Sequence, residues 1–464
     1  MRLSDDKRQK NPLQQALAFP EVGRGETPER SWRGTETSTA KHQSESPASP
    51  EPLMEEICER ENGKQALARV KANKGGPGID GMTVEKLPGY LKQHWPEVRE
   101  QLLSGTYKPP PVKRTEIPKP EGGIRKLGIP TALDRLIQQM GLQVVQRSWD
   151  PTFSEHSYGF RPGRSAHQAV AQAQQYISEG YGGVGDLDLE KFLDRVNHDR
   201  LMARLTSRIR DKRVLKLIRR FLQAGVMENG LVSPVEEGTP QGGPLSPLLS
   251  NVVLEELDRE LERRGHRFVR YAEDSNIYVR SQRAGERVME SITRFLTTKL
   301  KLKVNQAKSA VARPRERKFL GFSFTGGQAP RRRIAPKAIL RFKERIRELT
   351  CRTRGISMEQ RAKELSAYLL GWRGYFGFCQ TPSVVNSLEE WLRRRLRSVL
   401  WKQWRRGRTR FAELRQRGIG HDLAATTAGS AHGPWRIANS PALNHALPNS
   451  YFDSLGIPRL AAQR

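Results

Sequence analysis

Cysteine is nearly absent from this 464-residue chain: only Cys58, Cys351 and Cys379 occur. They are far apart and odd in number, so they form neither a disulfide framework nor a C-x-x-C zinc pattern, and reduced thiols are expected. No apolar run reaches the roughly 18 residues that a membrane helix needs. The amino end, Met1-Arg-Leu-Ser-Asp-Asp-Lys-Arg, has no apolar stretch of the secretory kind. Together these absences predict a cytoplasmic protein with no membrane partner. Acid is scarce beside base, with 50 Asp+Glu against 81 Lys+Arg and a net charge of +31. Such an excess points to a polyanion as the standing partner, because neutralising phosphates and releasing their counterions drives nucleic-acid binding.

The acids that are present are placed unusually. Arg270-Tyr-Ala-Glu-Asp-Ser-Asn-Ile-Tyr-Val-Arg280 sets two adjacent carboxylates, Glu273 and Asp274, between two strand-forming runs, Arg267 to Tyr271 and Asn276 to Val279. That pattern predicts a hairpin with acids at its tip. Upstream, Val184-Gly-Asp-Leu-Asp188 is a second short strand ending in acid, continued by Leu-Glu-Lys-Phe-Leu-Asp194. Isolated acidic pairs are commonly solvated turns. Two acid-bearing strand ends in so basic a chain instead suggest a divalent-metal site serving a polyanion, since Mg²⁺ takes one or two carboxylates plus substrate phosphates.

Along the chain, residues 1–52 are rich in Ser, Thr, Gln, Glu and Pro and are expected to be disordered, because they bury too little apolar surface to offset their ordering entropy. A helix is predicted from Met54 to Lys71, then the glycine-rich turn Gly75-Gly-Pro-Gly-Ile-Asp-Gly81, whose spacing is neither a P-loop nor a dinucleotide fingerprint. The stretch Tyr107 to Pro130 reads as a hairpin that brings Lys119 and Arg125 together, a point charge and a fork suited to a triphosphate. Helices follow over Thr131–Trp149 and Ser165–Tyr176, and one long helix is expected from His198 to Leu222. Ser246 and Pro247 read as the N-cap and first position of another helix, to about Arg263. After the acidic hairpin come a helix near 284–300 and a strand at Phe319–Phe324. This order is α+β. Residues 331–420 hold 24 Lys/Arg against 7 Asp/Glu. There the stripe Leu388, Leu392, Leu396, Val399, Leu400 and Trp404 reads as core, with Arg393, Arg394, Arg395 and Arg397 beside it as an RNA-binding track. Asp194 is expected to cap or turn the chain into the following helix.

In order, Lys74-Gly-Gly-Pro-Gly-Ile-Asp-Gly81, the Lys119/Arg125 hairpin, Ser157-Tyr-Gly-Phe-Arg-Pro-Gly163, Asp188 to Asp194, Thr239-Pro-Gln-Gly-Gly-Pro-Leu-Ser-Pro247, the Tyr271 box and Phe319-Leu-Gly-Phe322 resemble the blocks of a bacterial group II intron reverse transcriptase. Leu369-Leu-Gly-Trp-Arg-Gly-Tyr-Phe376 resembles that family's thumb, or maturase, domain, and no Cys/His cluster follows to make its optional endonuclease. The resemblance implies a right-hand polymerase: fingers and palm over 53–330 with an antiparallel sheet, a helical basic thumb over 331–405, and a basic nucleic-acid-binding tail over 406–464. It implies Asp188, Leu189, Glu273 and Asp274 as metal-holding positions for two Mg²⁺, with Mn²⁺ substituting. It further implies Lys119 and Arg125 at the triphosphate, Phe192 as the gate under the nucleotide sugar and Gln241 lining the nucleotide site. The implied partners are group II intron RNA, an RNA template with a DNA primer, and dNTPs. One departure stands out: the family usually has Tyr-Ala-Asp-Asp where this chain has Tyr271-Ala-Glu-Asp274. Two readings follow, a polymerase that also assists splicing and mobility, or a maturase-type RNA-binding splicing cofactor with little polymerase activity.

Overall fold

The computed structural model describes residues 52–118, 122–228, 230–235, 237–239, 241–327 and 329–461. The disorder expected of residues 1–51 and the place of Lys119 lie outside them. The chain divides into two compact units, one made of the residues up to Ala169 with Gly185–Val311, the other of Val170–Val184 with Ala312–Arg464. The division falls near residue 311 instead of 330, and the carboxyl-terminal stretch belongs to the second unit with the basic helices.

In the first unit the helix expected from Met54 to Lys71 is two, α1 (Leu53–Ile57) and α2 (Arg60–Ala72). The Asn62 side chain donates to the Ile57 carbonyl freed at the break (2.8 Å), and such side-chain bonds compete with helix continuation. Helix α3 (Leu87–Leu103) leads into the hairpin β1 (Val112–Pro118) and β2 (Ile124–Ile129). Helix α4 (Ala132–Trp149) starts where Thr131 Oγ1 accepts from the Asp134 N–H. Next come α5 (Ala166–Ser178) and β3 (Gly183–Leu187), whose residues Val170–Val184 belong to the second unit. The long helix expected from His198 to Leu222 is also broken, into α6 (His198–Thr206) and α7 (Lys212–Gln223). Asp211 is responsible: its carboxylate accepts from the amides of Arg213 (2.9 Å) and Met54 (3.0 Å), so it caps a new helix rather than continuing the old one.

Strands β4 (Val226–Glu228) and β5 (Leu231–Ser233) complete a sheet ordered β2-β1-β4-β5. Helix α8 (Ser246–Arg263) begins at the expected cap residue itself, one residue earlier than predicted, with Leu245 at the N-cap already in right-handed conformation. The hairpin β6 (Arg267–Tyr271) and β7 (Asp274–Val279) joins the second sheet, ordered β6-β7-β3-β8, where β8 is Ala310–Ala312. Helix α9 (Gln282–Phe295) lies against it, and its last turn widens into a π-helical stretch, Leu296–Leu300. Gly185 lies close under α9: a Cβ at this position would sit 2.8 Å from Met289 Sδ, so a side chain there would have to displace Met289. One core, from Met54 to Val304, holds this unit together.

Near the base of α4, Asp134 is buried and its carboxylate accepts from Tyr107 Oη (2.8 Å) and Thr131 Oγ1 (2.7 Å). Burial pushes its carboxyl up to about 6, against the two hydrogen bonds. A folded-state value above the unfolded one means that this carboxyl's share of stability is fully present below about pH 4 and lost as pH rises through about 6. Asp134→Asn should therefore gain on the wild type by on the order of 3 kcal/mol between those limits. Denaturant unfolding at pH 4 to 7 measures this, and a constant difference between the two proteins would show that the carboxyl does not titrate there.

The second unit pairs β9 (Phe322–Phe324) with β10 (Arg332–Ile334) and continues in helices α10 (Pro336–Leu349), α11 (Met358–Phe376) and α12 (Pro382–Gln403). The strand expected from Phe319 is confined to its last three residues. Aromatic packing joins these elements: Phe342 meets Trp372 at 4.5 Å between ring centroids, Trp372 meets Phe376 at 5.0 Å, and Phe376 meets Phe322 at 5.4 Å. Helices α13 (Gly407–Gln416) and α14 (His421–Ala428), then three short turns of helix between Pro434 and Ser454, complete the chain.

Candidate active site

The β6–β7 hairpin closes through two residues, Ala272 and Glu273, with Tyr271 opposite Asp274. Ala272 takes a positive φ of 55°, the left-handed conformation that two-residue hairpins demand at their first central position. The turn is held from beneath. Arg270, 0% exposed, donates through Nε to Asp258 Oδ1 (2.7 Å) and through Nη1 to Asn251 Oδ1 (2.9 Å) and the Ala272 carbonyl (3.0 Å). Asn251 Nδ2 in turn donates to the Gly159 carbonyl (2.9 Å). Gly159 lies so close that a Cβ would stand 2.3 Å from the Ala272 nitrogen. Burial pushes the Asp258 carboxyl above the usual carboxylate range, with the Arg270 charge and hydrogen bonds pulling the other way. None of Asn251, Asp258 or Arg270 was singled out from sequence. The available signal was three polar residues in apolar surroundings, two of them seven apart on the buried face of α8.

Strand β3 lies beside β7, and Gly185 of β3 packs against the Ile277 carbonyl of β7. Asp188 follows directly on β3 and is partly exposed, and the Lys308 ammonium lies 3.9 Å from its Oδ2. Its amide donates to Ser309 Oγ (3.0 Å) and its carbonyl accepts from the Asn305 amide (2.8 Å). Leu189 bridges Val304 through its neighbours, Asn305 to Asp188 and Glu190 to Lys303. The pairing thus leaves the Leu189 carbonyl outside these bonds. Glu273 is half-buried and Asp274 exposed. Among the described residues no three His, Cys, Asp or Glu side chains gather as a metal cluster.

Phe192 sits at the head of a 3₁₀ turn, Phe192–Asp194, with its ring 4% exposed in the core. Asp194 ends this turn, one of the two roles expected of it, and the cap of α6 is Asn197, which accepts from the Arg200 amide. The Asp194 carboxylate accepts instead from Gln241 Nε2 (3.0 Å), while the Gln241 carbonyl accepts from the Gly128 amide of β2 (3.0 Å). Gln241 is therefore fixed between the segment after Asp188 and the strand carrying Arg125, which is exposed.

The arginines expected to form an RNA track also make contacts within the second unit. Arg393 is 1% exposed and pairs with Glu389 (2.6 Å) and Asp453 (3.0 Å). Arg394 donates to the Trp435 carbonyl (3.0 Å), Arg395 to Thr350 Oγ1 (2.7 Å) and Arg397 to the Leu447 carbonyl (2.9 Å). Arg393, Arg394 and Arg397 fasten the carboxyl-terminal helices to α12, and Arg395 ties α12 to the end of α10. The physical reason is local: a stripe of arginines beside a core helix meets carbonyls and carboxylates of the packed tail before it meets solvent. The tail from 406 onward is thus a folded part of this unit. Exposed cations remain at Lys402, Arg405, Arg406 and Arg408 around the α12–α13 junction, with no ion pair among the described residues. Lys343 and Arg347 lie over the Trp391 ring, at 5.6 and 5.7 Å.

An antiparallel β6–β7 hairpin with acid at its turn, set in one sheet beside a strand that runs into acid, has the arrangement of the palm of a template-directed nucleotidyltransferase. Residues 117–324 match the family model for reverse transcriptase (RNA-dependent DNA polymerase), and residues 339–418 match the group II intron maturase-specific domain. The chain is 32% identical over 295 residues to protein YkfC of Escherichia coli (strain K12), covering 55% of this chain and 76% of that one. It is 35% identical over 198 residues to the group II intron-encoded protein LtrA of Lactococcus lactis subsp. cremoris, covering 42% of this chain and only 32% of LtrA. The chain belongs to the group II intron reverse transcriptase and maturase family, whose polymerases are RNA-directed.

Proposed function

We propose that the chain extends a DNA primer on an RNA template at the acidic end of the β6-β7-β3-β8 sheet, and that its basic second unit holds intron RNA and assists splicing and mobility. The observation that supports this reading is the adjacency of β3, which runs into Asp188, and β7, which follows the turn carrying Glu273. Asp188, Glu273 and the Leu189 carbonyl offer oxygen donors only, with Asp274 next in the chain. That donor set suits Mg²⁺, or Mn²⁺ in its place, completed by water and substrate phosphates. Divalent ions held there supply charge at the attacking and leaving oxygens of phosphoryl transfer. The protein's own part is positioning. Arg125 is assigned to the triphosphate, as is Lys119 by its place in the sequence; Gln241 is held by Asp194 and Gly128, and Phe192 lies four residues beyond Asp188 to select the deoxyribose. The exposed cations at Lys402, Arg405, Arg406 and Arg408 take the RNA-binding role first read into Arg393 to Arg397.

Glu273 favours one competing reading, an RNA-binding splicing cofactor with a slow polymerase centre. Its stem is longer than that of Asp by one methylene, and the turn backbone beneath it is pinned by Arg270 and Gly159, so it has little freedom to retreat. Misplacing a ligand by about 1 Å costs on the order of 100-fold in rate. Single-turnover extension at matched RNA occupancy should therefore be slow in Mg²⁺ and partly restored in Mn²⁺. Glu273→Asp should raise the Mg²⁺ rate roughly 10- to 100-fold. A slower Glu273→Asp protein would mean the site is shaped for Glu, and no extension by either protein in either metal, with RNA still bound, would favour the cofactor reading.

A further inference from the structure

Phe160 is a costly residue with no evident structural return. Its side chain is 51% exposed, and its backbone takes a positive φ of 60°, a conformation that a bulky side chain disfavours and that recurs at functional sites. The loop presenting it is rigid. The Arg270 amide donates to the His156 carbonyl and the Tyr158 amide to the Arg270 carbonyl, both at 2.9 Å, sewing the segment along β6. Buried Arg161 ties the loop's far side to the carbonyls of Ser154 (2.6 Å), Ser157 (2.9 Å) and Asp150 (2.8 Å). Gln146 Nε2 holds the Phe160 carbonyl itself (3.3 Å). The ring lies 6.4 Å between centroids from that of Tyr271, the residue immediately before the Ala272–Glu273 turn.

We propose that Phe160 is a stacking platform for the base of the primer's 3′-terminal nucleotide, forming with Tyr271 an aromatic rim beside the acidic turn. This rests on the polymerase reading above. A 3′-hydroxyl that reacts at Asp188 and Glu273 brings its own nucleotide alongside Tyr271, and a flat π-face held there without freedom to turn away suits a nucleobase. Every base has such a face, so the contact tolerates any sequence. The loop's rigidity means that little ordering entropy is lost when the base arrives.

The test is binding of a primer–RNA template carrying 2-aminopurine at the primer 3′ end, followed by fluorescence without nucleotide, so that the result does not depend on catalysis. Phe160→Ala should weaken binding about 5- to 100-fold, the range that stacking on one aromatic spans, while Phe160→Trp should retain it. On a primer ending in an abasic sugar, titrated by anisotropy, wild type and Phe160→Ala should bind alike. Phe160→Gly should bind as weakly as the Ala variant yet unfold at or above the wild-type temperature, because glycine adopts the left-handed backbone at no steric cost. Equal affinity of wild type and Phe160→Ala overturns the proposal, as does a Trp variant as weak as Ala, an undiminished penalty on the abasic primer, or a less stable Gly variant, which would make the ring a packing element. Failure of the polymerase reading shows separately, as absent extension by a wild-type protein that still binds and quenches the primer.

Discussion

Asp188→Asn should cut primer extension by more than about 100-fold while leaving RNA affinity unchanged. Changing a partner that merely orients a metal ligand typically costs 10- to 100-fold, so removing the charge of a ligand itself should cost more. Asn keeps the volume of Asp and leaves one oxygen in place, so the strand end, its amide bond to Ser309 and its carbonyl bond from Asn305 have no reason to move. What disappears is the negative charge that faces Lys308. RNA binding, which we assign to exposed cations of the second unit, should not register the change. Single-turnover extension beside a filter-binding titration measures both quantities. Extension at the wild-type rate would remove Asp188 from the site.

The second large effect is expected beneath the turn. Asp258→Asn should destabilise the protein by about 3–5 kcal/mol, because it strips the counter-charge from Arg270 in a fully buried pair. The pair's net worth is smaller than that figure, since both ions lost their hydration when buried. Replacing both partners together, Arg270→Met with Asp258→Leu, should recover most of the stability. It should not recover extension, because the Arg270 guanidinium also holds the Ala272 carbonyl, and a turn loosened by about 1 Å loses on the order of 100-fold in rate. Chemical unfolding and extension of the two variants separate the roles. A double variant that is stable and fully active would confine Arg270 and Asp258 to packing.

The acidic hairpin was legible because alternation and turn chemistry act over a few residues: Arg267 to Tyr271 and the run ending at Val279 read as strands around an acidic turn, although Asp274 proves to be the first residue of the second strand. The order of blocks along the chain likewise carried the family. Local signals overreached where a single side chain diverted the backbone, as Asn62 and Asp211 did in cutting two expected helices into four. What the sequence could not determine is which polar residues meet. Arg270, Asp258 and Asn251 lie on a strand and a helix whose packing makes their burial tolerable, and burial is a property of the assembled core. The arginines of α12 show the same limit from the other side. Their charge and spacing were plain, but whether they met phosphate or the chain's own carbonyls depended on where the residues after 406 folded. Sequence by itself determined the strands, the acids and the charge; only tertiary structure decided which charges are spent inside the fold, because pairing is a matter of distance in space.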